Sequence, residues 1–217
     1  MNLVRACAVA LAAAATSMPA AAATFGTNLV VNGDAETGDL TGWSITGVVA
    51  TTNTAPTAPF GSFSFWSGTG GTSETLVQGI DLAPLAAEIA SGGVGYTVSA
   101  QLQSRRAGQS LDRVVAQLVF RDAANTVIGV GAPLEDPTND VNDFSWDFES
   151  TSGFVPTGAT TAEIDLVFTR DAGTSTDAYA DDISLVLTPA AVPLPAALPL
   201  LAAGLCGFAM IRRRSTG

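Results

Sequence analysis

From residue 94 to 188 apolar and polar residues alternate with a period of two, segment after segment. That period belongs to half-buried β-strands, whose successive side chains point to opposite faces. Tyr96, Val98, Ala100 and Leu102 point one way; Thr97, Ser99, Gln101 and Gln103 point the other. Val114, Ala116, Leu118 and Phe120 alternate with Val115, Gln117 and Val119, after which a turn from Asp122 to Asn125 leads into residues 126–130 as a hairpin. Phe144, Trp146 and Phe148 share a face opposite Asp143, Ser145 and Asp147. Ile164, Leu166 and Phe168 do the same against Glu163, Asp165 and Thr169. In the last segment, 179–187, strict alternation puts Asp181 on the face of Ile183, Leu185 and Leu187.

Shorter runs at 28–32, 43–50, 62–66 and 73–80 are each bounded by Gly, Asn, Thr or Pro and read as further strands. One short helix is expected over 84–90, with Pro84 suited to its first turn. Eight or nine strands and one short helix, without an internal repeat, predict an all-β fold: an antiparallel β-sandwich over residues 24–188.

Composition limits the chemistry available to that sandwich. The chain has no histidine and no lysine, which removes His-based triads, His-ligated zinc and Lys nucleophiles together. Its two cysteines, Cys7 and Cys206, lie outside 24–188, so no disulfide can staple the domain. All 20 acidic residues fall between Asp34 and Asp182, against five of the nine arginines, giving that region a formal charge of −15. Such a surface repels nucleic acid and anionic lipid and is compatible with divalent cations and neutral glycans; plain solubility explains it equally well.

Both ends are apolar. Residues 1–23 combine Arg5, an apolar stretch and small residues ending in Ala21, Ala22 and Ala23, the pattern of a signal peptide cleaved by signal peptidase near Ala23. Residues 189–217 hold a short linker, then an apolar run over about 194–211, long enough to cross a ~30 Å hydrocarbon core as a helix. Arg212, Arg213 and Arg214 follow and are expected to stay on the cytoplasmic side, leaving everything before residue 192 outside the inner membrane. Pro193 and Pro195 hold the entry to the span in an extended strip.

A short proline motif, a transmembrane run and a terminal arginine cluster together resemble the tripartite tail of PEP-CTERM proteins. Val192, Pro193, Leu194, Pro195 and Ala196 are similar to its VPLPA subtype. The resemblance implies recognition by an exosortase, a membrane-embedded cysteine protease or transpeptidase. It also implies export through an inner-membrane-tethered intermediate to the bacterial cell surface or extracellular polysaccharide matrix, with the tail removed or exchanged.

A second resemblance brackets the sandwich. Asn28-Leu29-Val30-Val31-Asn32-Gly33-Asp34-Ala35-Glu36-Thr37-Gly38, followed by Gly42-Trp43, is similar to the opening of galactose-binding-like jelly rolls, including carbohydrate-binding modules of the CBM4/9 and CBM22 kind. The run from Ala178 to Leu185 is similar to their closing strand. In such modules the opening Glu and closing Asp commonly meet at a structural calcium ion, which carries over to Glu36 and to Asp181 or Asp182. An aspartate on the apolar face of its strand has to be paired, hydrogen-bonded or metal-bound in any case.

Glycan binding needs an exposed aromatic platform and planar polar side chains for hydroxyls. Trp66 alternates with Phe63 and Phe65, so it faces away from the core if those two are buried. The polar side of the 97–103 strand offers Gln101 and Gln103, continued by Arg105, with Gln117 as a neighbour across the sheet. The competing reading makes these an ordinary polar outer face and Trp66 a gap filler. Trp43 and Trp146 read as core.

Paired carboxylates can hydrolyse glycosides without histidine, but the acids here fall mostly on outward strand faces or in turns such as 136–143, with no shared cleft. No enzyme is expected. Two readings remain: a non-catalytic glycan-binding surface module, or a structural or adhesive matrix protein whose sandwich binds calcium or copies of itself.

Overall fold

A computed structural model describes residues 23–54, 56–104, 106–107, 110–136 and 145–189. Residues 1–22 of the expected signal peptide, the membrane span and every residue of the sorting motif lie outside the described residues, as does Arg105. Among the described residues no helix is long and apolar enough to cross a membrane.

The chain builds two main antiparallel sheets from strands β1 (Ser44–Thr46), β2 (Ala50–Thr52), β3 (Ser64–Trp66), β4 (Ser73–Asp81), β5 (Val94–Ser104), β6 (Arg106–Ala107), β7 (Ser110–Leu111), β8 (Arg113–Arg121), β9 (Val127–Val130), β10 (Leu134–Glu135), β11 (Asp147–Phe154), β12 (Thr161–Thr169) and β13 (Ala178–Pro189). One sheet runs β1-β4-β12-β8-β10, with β9 also paired to β8; the other runs β11-β5-β13-β3-β2; β6 and β7 form a small separate ribbon. A 3₁₀ turn (Ala83–Leu85) and helix α1 (Ala86–Ala90) link β4 to β5, with Pro84 in the first turn where its missing N–H costs nothing.

The long strands β4, β5, β8, β11, β12 and β13 alternate between the two sheets, so each crosses the sandwich before the next begins. Apolar residues at every second position meet between the sheets. Phe65, Phe120, Phe168, Leu76, Leu102, Leu118, Ile164 and Leu166 are fully buried there, each worth roughly 1.5–3 kcal/mol relative to exposure. Trp43 belongs to this core, as expected, and packs edge-on to Phe65 with ring centroids 5.4 Å apart. The β8–β9 hairpin also forms as expected.

The stretch 28–32 is not a strand. It makes one isolated bridge with β13, Asn28 with Val186, and one backbone hydrogen bond from Leu29 N–H to the Leu185 carbonyl at 2.9 Å, and side chains hold the rest. Asn28 Oδ1 accepts from the backbone N–H of Val30 and of Leu185, both at 3.0 Å. Gln78 takes both backbone groups of Val31, accepting its N–H at 2.7 Å and donating to its carbonyl at 2.9 Å. Positive φ at Asn32 and Ala35 breaks the extension that the alternating pattern suggests.

The outer face of the five-stranded sheet

β13 contains a bulge: its register against β5 shifts between Asp181 and Ser184, and Asp182 has φ +48°. Ala178 and Ala180 pack in the core before the bulge, and Ile183, Leu185 and Leu187 after it. Two residues thus separate Ala180 from Ile183, and the expectation that Asp181 shares the face of Ile183 is corrected. Asp181 pairs with Gln101 on the outer face of the five-stranded sheet.

That face carries more than the polar ladder expected of it. β5 presents Gln101 and Gln103 outward, opposite the buried Ala100 and Leu102. Tyr179 is registered with Gln103 and with Trp66, which faces outward beside the buried Phe65. Trp66 and Tyr179 stack at 6.2 Å and 12°, and Trp146 meets Tyr179 edge-on at 6.5 Å. The Trp66 indole N–H donates to the Thr176 carbonyl. Trp146 and Phe148 are therefore not core residues. Phe148 is registered with Gln101 and is 58% exposed. β11 is an edge strand whose alternate residues face solvent, so its aromatic alternation marks a surface face and not the interior.

Below the aromatic row lie polar atoms without partners. Gln103 is 1% exposed and neither its amide oxygen nor its amide nitrogen is hydrogen-bonded; Ser64 Oγ and Asp181 Oδ2 are likewise buried and unpartnered. Buried polar groups nearly always find a partner, so three such residues on one sheet face mark it as unusual.

Gln117 does not join them. It sits on β8 in the other sheet, registered with Asp165, and donates to the Gly131 carbonyl at 2.6 Å. The strands that carry Gln101 and Gln117 are neighbours in sequence but lie on opposite sides of the sandwich.

Asp181 is fully buried. Its Oδ1 accepts from the Asp182 backbone N–H at 2.8 Å. Burial pushes its carboxyl up to about 8; the Asp182 N–H works against this, and the charges of Asp182, Glu36 and Asp34 add to it. These acids thus gather around β13's bulge. Glu36 Oε1 accepts from the backbone N–H groups of Ser62 and Phe63, at 2.6 and 2.7 Å. Among the described residues, no three acidic side chains converge as a metal cage. The orphaned Asp181 Oδ2 in a negative surround fits a calcium ion that takes one carboxylate together with backbone oxygens.

Other carboxylates expected on outward faces or in turns are buried and work as structural acceptors. Glu74 accepts from the Val48 N–H at 2.6 Å and from the Gly71 N–H. Asp112 holds the backbone N–H groups of Asp171 and Asp177 at 2.9 and 2.8 Å. Asp136 accepts from Ser104 N–H at 2.8 Å.

Two antiparallel sheets packed in this order form a β-sandwich, the fold of the carbohydrate-binding modules among its structural neighbours. Among solved structures it is similar to a family 16 carbohydrate-binding module, with 25% identity and a TM-score of 0.51 over 73% of this chain and 99% of that one. It is also similar to TmCBM61, solved in complex with β-1,4-galactotriose, with 18% identity and a TM-score of 0.50 over 74% and 98%. A third likeness is to the enzymatically active domain of tailspike protein 4 of bacteriophage CBA120, at 18% identity and a TM-score of 0.55; the chain covers 21% of that protein's length. No protein-family profile and no curated protein matches the sequence.

Proposed function

We propose that this is a non-catalytic glycan-binding module of an exported surface or matrix protein, with its site on the outer face of the five-stranded sheet. The observation that carries this reading is the row Trp146, Tyr179 and Trp66 laid beside the unpartnered amide of Gln103. Aromatic faces stack on the C–H faces of sugars, and planar amides exchange hydrogen bonds with their hydroxyls. Gln101 and Phe148 extend the platform toward β11. The likeness to carbohydrate-binding modules supports the class of ligand.

Calcium is part of the proposal as a structural ion held by Asp181, with Glu36 and Asp182 supplying negative charge around it. Sorting by an exosortase through Val192–Ala196 and Arg212, Arg213 and Arg214 is proposed from the sequence alone.

The test is binding of the full-length protein to soluble matrix polysaccharides and to β-1,4-galactotriose, with Phe148→Ala beside wild type. Phe148 is exposed, so its loss leaves stability within about 0.5 kcal/mol of wild type. Affinity should fall about tenfold, the loss of ~1.4 kcal/mol of stacking. Unchanged binding in Phe148→Ala, together with unchanged binding in Trp66→Ala, would move the site elsewhere.

A further inference from the structure

We propose that residues 56–62 form a strap that closes over this outer face and hides its polar groups until a ligand displaces it. The inference rests on the reading of the face as a glycan site. The strap leaves β2, at one edge of the sheet, and its tip is caught by a residue next to β11, at the opposite edge. There the Trp146 indole N–H donates to the Thr57 carbonyl at 2.9 Å, a contact between residues 89 apart in sequence.

At its base the strap is gripped by Glu36, whose Oε1 accepts from the Ser62 and Phe63 amides. Pro56, just before the tip, is buried, and between the two catches Ala58 and Pro59 are half-buried while Phe60 and Gly61 are exposed.

The closed state is poised. Three side-chain atoms on the face, Ser64 Oγ and both amide atoms of Gln103, are buried without partners. Each such group loses its hydration without replacement, and this cost is recovered when the strap lifts. A polyhydroxylated ligand supplies donors and acceptors to those same atoms, so it binds the open state better than the closed one. That difference in affinity is what shifts the population. Two catches oppose it, three hydrogen bonds donated by the Ser62, Phe63 and Trp146 N–H groups, together with the burial of Pro56.

Each catch can be broken separately. A Cβ on Gly61, whose φ is +72°, would fall 2.3 Å from the Glu36 carboxyl carbon, so Gly61→Ala strains the base without touching the face. Trp146→Phe keeps a ring but deletes the donor at the tip. Hydrogen exchange of the full-length protein without sugar should show the amides of 56–63 exchanging about fivefold faster in both variants, with β5 and β13 unchanged, as expected for losing one net hydrogen bond.

Affinity for a panel of β-1,4-galactotriose, cellohexaose and xylohexaose should rise several-fold in Gly61→Ala. Unchanged strap exchange in both variants overturns the strap, whatever the sugars do. Faster exchange with affinity equal to wild type overturns its gating role. Faster exchange with no sugar bound by any form overturns the glycan reading and the gating with it.

Discussion

Gln78 replaces a missing strand with one side chain. It satisfies both the N–H and the C=O of Val31, beyond the single bridge that the opening segment makes with β13. Gln78→Leu keeps the volume roughly constant and leaves both backbone groups short of a partner. It should cost about 2 kcal/mol in chemical denaturation. Asp165 shows the opposite situation. Its Oδ1 is buried and unpartnered. Burial and the neighbouring Glu163 push its carboxyl up to about 6, against the pull of Arg121. Arg121 itself is engaged with Glu163 at 2.7 Å. A folded value above the unfolded 3.8 means the native state holds the proton more tightly. This residue's contribution to stability is therefore fully present below pH 3.8 and is lost as pH rises to about 6. Asp165→Asn should flatten the stability profile across that window; a profile parallel to wild type would show that Asp165 titrates normally.

At the scale of elements, the long alternating strands were readable because each has one face in the core: β5, β8 and β12 follow the expected faces residue by residue. Alternation failed where an element departs from ideal geometry or lies at an edge. In β13 one inserted residue at the bulge moves Asp181 to the other face, and nothing in a period-two pattern announces it. On β11 the aromatics that look like core line the open face of an edge strand. The link between β1 and β2 is governed by a carboxylate: Gly47 has φ +95°, and a Cβ there would lie 1.1 Å from Glu74 Oε2. Gly47→Ala should therefore displace the Glu74 carboxylate from the Val48 amide. It should lower stability by about 2–4 kcal/mol, read from denaturation midpoints at constant m.

For the whole molecule, the resemblance of both ends to jelly-roll modules rightly set the opening segment against the closing strand, though that segment is not itself a strand. Ile183 N–H donates to the Gly33 carbonyl at 2.9 Å. The expected pairing of Gln101 with Gln117 failed, because sequence order says nothing about which side of the sandwich a strand joins. The same contact between beginning and end sets the expected effect of calcium. Chelator should lower the thermal midpoint by about 5 °C or more, as for a ligand contributing 2–3 kcal/mol. Asp181→Asn should abolish the difference between chelated and calcium-loaded protein; a midpoint indifferent to chelator in wild type would remove the ion from the account. Intact mass of surface-extracted protein should show loss of the arginine-terminated tail.

β13 lies between β5 and β3, in the interior of its sheet, yet it is the last strand among the described residues and ends at Pro189. Neither neighbour can complete its hydrogen bonding until it arrives, and its partners lie some 80 to 110 residues upstream in pairs such as Asp181 with Gln101 and Tyr179 with Trp66. Such non-local closure is slow. A chain emerging from its N-terminus would thus hold the five-stranded sheet open along its middle, with β5 and β3 both waiting for the same late strand.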